Sequence, residues 1–430
     1  MNKNKVSVVT LGCSKNTVDT ERLMRQLQLN GIDLKDNPED ADTLVINTCG
    51  FIEAAKEESI NTILNAVRLK NEGKLDKVIV AGCLSERYKD DLMKEIPEVD
   101  TYFGTENYEG IVNELGGELK YNLLGERFIS TPSHTAYLKI SEGCDHPCSF
   151  CAIPIMRGKH KSKPVEELVR EAEYLAANNT KELVIIAQDT TDYGKDIYKK
   201  KSLAGLLRKL SNIEGIEWVR IMYAYPSRFP TDVLEEIASN PKICNYLDIP
   251  LQHISNNLLR SMRRGITGNQ TRSILQKIKQ VVPEITLRTT FIVGYPNETE
   301  KEFMELCEFV KETQFDRLGV FTFSVEENTA SYILGDSVPQ SLKKERKDIL
   351  MEIQKEISLK KNSEFVGKKL KVLVEGVEGD FYIGRSYRDA PEVDGELLLP
   401  KKKNKLEIGE FYNVQVTDYN EYDLFGKIFI

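Results

Sequence analysis

Short apolar runs and longer amphipathic stretches alternate through residues 1–118. The runs are 6–11, 43–47 and 77–81, while residues 17–30 and 54–70 space their apolar positions three or four apart. This alternation predicts buried parallel strands joined by crossover helices. Each of the three strands runs into a cysteine, in VSVVTLGC, TLVINTC and VIVAGC, at Cys13, Cys49 and Cys83. Ligand sites of open α/β sheets lie beyond the carboxyl ends of the strands, so three strands deliver three cysteines to one edge.

A connector over 116–135 leads into a second series. Strand candidates at 137–140, 183–187, 218–223, 246–249, 286–293 and 319–323 alternate with helical patterns such as 165–177 and 300–313. Six β/α units predict a partial or full barrel with its chemistry at the carboxyl ends of the strands. A long charged helix over 341–362 follows. The texture then changes to short β-rich runs, KLKVLVEG, YIGRSY, GELLLP, YNVQVTDY and LFGKIFI, which predict a small antiparallel β-barrel. The expected chain is therefore α/β, in three parts. These are an N-terminal parallel-sheet domain at 1–118, a central (β/α)-type barrel domain at 130–360 and the small barrel at 363–430.

Charge narrows the partners. The net charge is −8, with 14 basic against 21 acidic residues in 1–115 and 10 against 13 in 363–430. Phosphate binding runs on basic patches and released counterions, so an acidic chain suits a basic protein partner better than nucleic acid. Lys401-Lys402-Lys403 reads as a loop tip that could touch RNA, against the acidic balance of its domain. The basic run Lys159-His160-Lys161-Ser162-Lys163 reads as solvated surface or as a steering patch for an anion. No run approaches the ~18 apolar residues of a membrane span. The first residues enter a strand at once, leaving no room for a signal peptide, and a cytoplasmic location is expected. In such a reducing compartment the eight cysteines serve metals or catalysis rather than disulfides.

The sharpest motif is Cys144-Asp145-His146-Pro147-Cys148-Ser149-Phe150-Cys151, a CxxxCxxC directly after a predicted strand. Three thiolates at this spacing can wrap one face of a 4Fe-4S cube and leave one iron open to a cofactor. A zinc site completed by His146 or His160 is the competing reading. Two further strand ends look like cofactor-contacting loops, Gln188 in 187–191 and Gly294 in 294–296, although Gly294 could be a turn residue. Cys13, Cys49 and Cys83 lack a local motif. Each lies beside a glycine (Gly12, Gly50, Gly82), and either a second cluster or three buried structural thiols fits them. Cys244, Cys307 and His253 read as buried structural residues.

CxxxCxxC at the first β/α loop of a barrel resembles the radical S-adenosylmethionine superfamily. In that family the open iron binds the cofactor, whose cleavage yields a 5′-deoxyadenosyl radical. Phe150 matches a family aromatic packed near the adenine, with plain core packing as its alternative. The whole chain resembles the methylthiotransferases, whose order is a cluster domain, a radical barrel and a small C-terminal barrel called TRAM. The segments that carry the likeness include Leu11-Gly12-Cys13-Ser14-Lys15-Asn16, Asn47-Thr48-Cys49-Gly50-Phe51-Ile52 and Gly82-Cys83-Leu84-Ser85-Glu86-Arg87-Tyr88. The stretch Ala187-Gln188-Asp189-Thr190-Thr191-Asp192-Tyr193-Gly194 agrees as well. The match is best to the RimO type, which modifies a ribosomal protein, and the transfer-RNA-modifying MiaB type is the alternative.

The resemblance implies methylthiolation of the β-carbon of an aspartate in ribosomal small-subunit protein twelve. It implies S-adenosylmethionine and two 4Fe-4S clusters, one on Cys144, Cys148 and Cys151 and an auxiliary one on Cys13, Cys49 and Cys83. It further implies an electron donor such as flavodoxin or ferredoxin. The small barrel is expected to dock the substrate protein, with RNA contact secondary.

Overall fold

The structure is a computed structural model that describes residues 5–403 and 405–429. The first sheet contains β1 (Lys5–Thr10), β2 (Asp33–Lys35), β3 (Thr43–Thr48), β4 (Lys77–Gly82) and β5 (Thr101–Tyr102). All pairs are parallel, in the order β2-β1-β3-β4-β5. Alternate residues of the central strands bury on opposite faces. Leu44, Ile46, Val78 and Val80 pack with Ile63 and Val67 on one side. Val45, Ile79 and Ala81 pack with Leu23 and Leu27 on the other. Helices α1 (Ser14–Leu29), α2 (Glu53–Asn71) and α3 (Cys83–Glu95) follow β1, β3 and β4. The chain steps from β1 outward to β2 and then back across to β3 on the far side. A crevice forms at such a reversal, outside the carboxyl ends of the strands. Cys13 and Cys49 leave β1 and β3 there.

The second sheet begins with β6 (Thr135–Lys139). A hairpin of β7 (Ser141–Glu142) and β8 (Lys161–Ser162) brackets the CxxxCxxC loop. The sheet continues with β9 (Glu182–Ile186), β10 (Trp218–Ile221), β11 (Ile243–Asp248), β12 (Thr286–Val293) and β13 (Arg317–Thr322). These strands are parallel and follow one another in sequence order without closing, which makes the barrel partial. Tyr137, Val184, Ile186, Met222 and Tyr246 fill its interior, together with Val18 from α1. The connector is pinned where it passes: buried Arg127 donates to the Tyr137 carbonyl at 2.5 Å.

The third unit is a closed barrel of β14 (Lys369–Glu378), β15 (Phe381–Ser386), β16 (Leu397–Pro400), β17 (Phe411–Tyr419) and β18 (Leu424–Ile428). The expectation of a purely antiparallel barrel is corrected, because β16 and β18 pair in parallel. Parity is the reason: strands alternating in direction close a ring only in even number, and five leave one parallel seam. This barrel sits at the amino ends of the β6–β13 strands, the face opposite the cysteine loops. Trp218 meets Phe411 edge to face at 4.7 Å. Glu182 accepts from Arg220 at 2.7 Å and Arg385 at 2.6 Å, and Arg317 pairs with Asp389 at 2.5 Å.

The basic run at 159–163 is not a solvated patch. Lys159 and Lys161 are exposed, but His160 and Ser162 turn inward as β8 alternates, and half-buried Lys163 has its pKa lowered by burial to about 7. Among the described residues, no helix is long and apolar enough to cross a membrane.

Candidate active site

Two cysteine triads stand at the carboxyl ends of the two parallel sheets. In the first, Cys13 is the N-cap of α1 and Cys83 opens α3. Helix N-termini favour anionic sulfur, because their free amides and dipole point at it. Cys49 is held by Ser59, whose hydroxyl accepts from the Cys49 amide at 3.0 Å and donates to its carbonyl at 2.9 Å. The glycines let the three loops converge. Gly12 has φ +95°, and a Cβ there would lie 2.7 Å from that of Cys49. Gly82, at φ +98°, would set a Cβ 2.6 Å from the Thr48 carbonyl. Asn16 ties the same loops by donating to the Leu11 and Thr48 carbonyls at 2.7 and 3.1 Å. Burial pushes the Cys83 thiol up to about 12 and also raises Cys49, and each of these thiols feels Cys13 electrostatically.

In the second triad, the loop 143–151 leaves β7 through Gly143 at φ +70°, where a side chain would strike the Lys159 backbone. The Cys144 amide donates to the Gly158 carbonyl at 3.1 Å, and the Ser149 amide to the Met262 carbonyl at 3.0 Å. Arg264 Nη1 donates to Cys148 Sγ at 3.3 Å, and the Tyr225 hydroxyl lies 3.7 Å from that sulfur. Burial pushes Cys144 and Cys151 up to about 12. Without metal, Cys144 and Cys151 are thus neutral at ordinary pH, and any metal bound to them must displace their protons.

A buried ionic network links the elements that carry the triads. Arg157 Nε donates to Cys83 Sγ at 3.2 Å, while its Nη1 reaches Asp19 at 2.7 Å and Glu142 at 3.2 Å, and its Nη2 reaches Asn16 at 2.5 Å. Lys139 bridges Asp19 and Glu142, and Gln188 donates to Glu142 at 2.6 Å. The Arg157 and Lys139 cations hold the Asp19 carboxyl well below the usual range against the effect of its burial.

The other expected site residues are placed as follows. Gln188 joins the network through its amide nitrogen, and its buried carbonyl oxygen has no partner among the described residues. Phe150 packs at the edge of a cluster of Leu258, Met262, Tyr295 and Phe323. Gly294 makes room for Lys343, whose side chain occupies the space a Cβ would take. Its amide donates to Glu298. Cys244 and Cys307 are core residues, and buried His253 is satisfied by Glu298 and the Ser255 amide. Arg157, Arg264 and Tyr225 carry no motif in the sequence. Only their closeness to the CxxxCxxC loop, in space for the latter two, marks them.

The donor set fits clusters better than a single ion. Zinc draws sulfurs to roughly 3.8 Å of one another at its ~2.3 Å bonds, whereas an iron–sulfur cube spreads its ligands wider. Among the described residues, neither triad has its three sulfurs within 4.8 Å of one another. The candidate fourth zinc ligands are engaged elsewhere. His146 stacks on Tyr225 and contacts Asp189 at 2.6 Å, and His160 contacts Ser162 at 3.0 Å.

A partial barrel carrying CxxxCxxC beyond its first strand defines the radical S-adenosylmethionine class. The Radical SAM superfamily model matches residues 138–310, flanked by an uncharacterised family, UPF0004, at 5–104 and a TRAM domain at 366–429. Solved structures of similar fold include the radical S-adenosylmethionine methyltransferase TsrM from Kitasatospora setae. It has TM-score 0.56 and 13% identity, over 76% of this chain and 77% of that one. The cobalamin-dependent radical enzyme OxsB has TM-score 0.53 and 14% identity, over 82% and 56%.

Full-length relatives narrow the class. The ribosomal protein uS12 methylthiotransferase RimO of Christiangramia forsetii is 54% identical over 99% of this chain and 95% of that protein. The RimO proteins of Cytophaga hutchinsonii and Bacteroides fragilis are 52% and 49% identical, over 99% and 100% of this chain and 98% and 100% of theirs. The chain belongs to the RimO family of ribosomal protein uS12 methylthiotransferases.

Proposed function

We propose that the chain replaces a hydrogen on the β-carbon of an aspartate of ribosomal protein uS12 with a methylthio group. The observation that carries this reading is the pair of cysteine triads at the carboxyl ends of two sheets, whose supporting elements are tied together through Arg157, Asp19 and Glu142. An unactivated carbon–hydrogen bond has no acidic proton, so no general base on the chain could open it. A 4Fe-4S cluster on Cys144, Cys148 and Cys151 would supply radical cleavage of S-adenosylmethionine, and one on Cys13, Cys49 and Cys83 would present the sulfur that is transferred.

The chain's own residues position and shield. Arg264 and Arg157 bring cationic donors to one sulfur of each triad, Cys148 and Cys83. The Asp19–Lys139–Glu142–Arg157 network fixes the two sheets against each other. Phe150 and Gln188, beside the radical triad, are the side chains we assign to the cofactor. Gly294 is left to packing, since Lys343 fills its open side.

The acidic surface suits a basic ribosomal protein, and a cytoplasmic setting with a flavodoxin or ferredoxin as donor completes the reading. The TRAM barrel, with its exposed Lys401 and Lys402, is the unit we assign to docking at the ribosomal substrate, RNA included. The test is anaerobic reconstitution with iron and sulfide, followed by dithionite, S-adenosylmethionine and uS12. The expected products are 5′-deoxyadenosine and methylthiolated uS12. A methylthio group on transfer RNA instead would favour the MiaB-type alternative.

A further inference from the structure

Lys15 stands two residues after Cys13, in the first turn of α1. The residue as a whole is 8% exposed. Its ammonium lies 3.0 Å over the centre of the Tyr223 ring. Tyr223 leaves β10 at the barrel mouth, where its amide donates to Asp248 at 3.0 Å and its carbonyl accepts from the Thr190 amide at 3.2 Å. Lys15 therefore reaches from the first cysteine loop of one sheet into the mouth of the other.

Among the described residues, no carboxylate or carbonyl pairs with it. Three carboxylates of the adjoining elements are taken by other donors. Asp19 accepts from Lys139, Arg157 and Tyr108. Asp248 accepts from Arg288 and the Tyr223 amide. Glu142 accepts from Lys139, Arg157 and Gln188. A ring face offsets only part of the desolvation of an ammonium. Among the described residues, the junction thus holds a largely buried lysine whose ammonium has no anionic partner.

We infer that Lys15 receives the side-chain carboxylate of the target aspartate. The inference rests on the proposed reaction. There the attacked carbon is bonded directly to that carboxylate, so gripping the one orients the hydrogens of the other. An ammonium also neutralises the single acidic group that a basic substrate must carry into a low-dielectric cavity. Lys15 is accordingly a specificity residue that touches the substrate. The methionyl carboxylate of S-adenosylmethionine has the same chemistry, and the experiment separates the two.

The experiment uses the full-length reconstituted protein and two probes, purified uS12 and uS12 with the target aspartate replaced by asparagine. Lys15→Met should weaken uS12 binding by about 10- to 100-fold, the range for losing a charge-assisted hydrogen bond. Wild-type protein should bind the asparagine probe about as weakly, and combining both changes should add little further loss. S-adenosylmethionine affinity and iron content should stay at the wild-type level. Should Lys15→Met lose iron, Lys15→Arg serves in its place and should hold uS12 more tightly than the asparagine probe. Unchanged uS12 binding, or fully additive losses, overturns the inference. A fall confined to S-adenosylmethionine affinity assigns Lys15 to the cofactor and overturns it too. Wild-type protein that leaves uS12 unmodified overturns the proposed function and this inference with it.

Discussion

Arg157 spends its guanidinium on four partners from three parts of the chain, and nothing compensates if it is removed. Arg157→Gln leaves Asp19 and Glu142 sharing Lys139 and strips the donor from Cys83. Breaking a buried ion network by removing one partner costs about 3–5 kcal/mol. Thermal unfolding should register that loss, and electron paramagnetic resonance should show a changed auxiliary signal beside an unchanged radical-cluster signal. The cysteines divide in the same way. Cys148→Ala should abolish formation of 5′-deoxyadenosine while retaining part of the iron. Cys49→Ala should keep 5′-deoxyadenosine and lose the methylthio product. Retained cofactor cleavage in the first variant, or unchanged product in the second, would reverse the assignment. The six thiols were legible because each follows a strand or sits in a tight motif. Arg157 was not, because its contacts to Cys83, Asp19 and Asn16 span 74, 138 and 141 residues.

At the scale of elements, β4 and α3 meet at Gly82 with no intervening loop. The glycine's φ of +98° and the Thr48 carbonyl beside it leave no room for a side chain. Gly82→Ala should destabilise the N-terminal domain by on the order of 2–3 kcal/mol and displace Cys83, which denaturant unfolding and iron analysis would report. Apolar runs announced β1, β3 and β4, as well as the six strands of the partial barrel. They missed β2 and β5, edge strands of three and two residues, DLK and TY, too short to show an apolar run. They also missed α3, whose apolar positions are sparse and whose backbone leaves helical geometry at Tyr88, φ −129°. The helices at Val165–Ala177 and Glu300–Thr313 came out residue for residue, because each carries a clean apolar stripe.

The whole molecule is held together by buried ion pairs between its units. Arg22 of α1 meets Glu171 at 2.5 Å, and Arg385 of the small barrel meets Glu182 of β9 at 2.6 Å while also pairing with Glu375 of its own barrel. The paired cations, Arg22 at Glu171 and Arg385 at Glu375, hold each carboxyl down to about 2 from an ordinary 4.5, against the effect of burial. The unfolded chain therefore takes up these protons first as the solution is acidified. The stabilisation is complete above about pH 4.5 and is lost as pH falls toward 2, at about 3 kcal/mol for each such group. Calorimetry should find a melting temperature steady from pH 7 to about 5 and steeply lower below 4. Glu171→Gln should be less stable at pH 7 and show a flatter acid limb; an acid limb as steep as that of the wild type would remove Glu171 from this role. The most direct measurement of function is mass spectrometry of uS12 after incubation with the reconstituted chain, dithionite and S-adenosylmethionine. The function proposed here requires a methylthio group on the target aspartate of uS12. Unmodified uS12, despite full clusters and active cofactor cleavage, would contradict it.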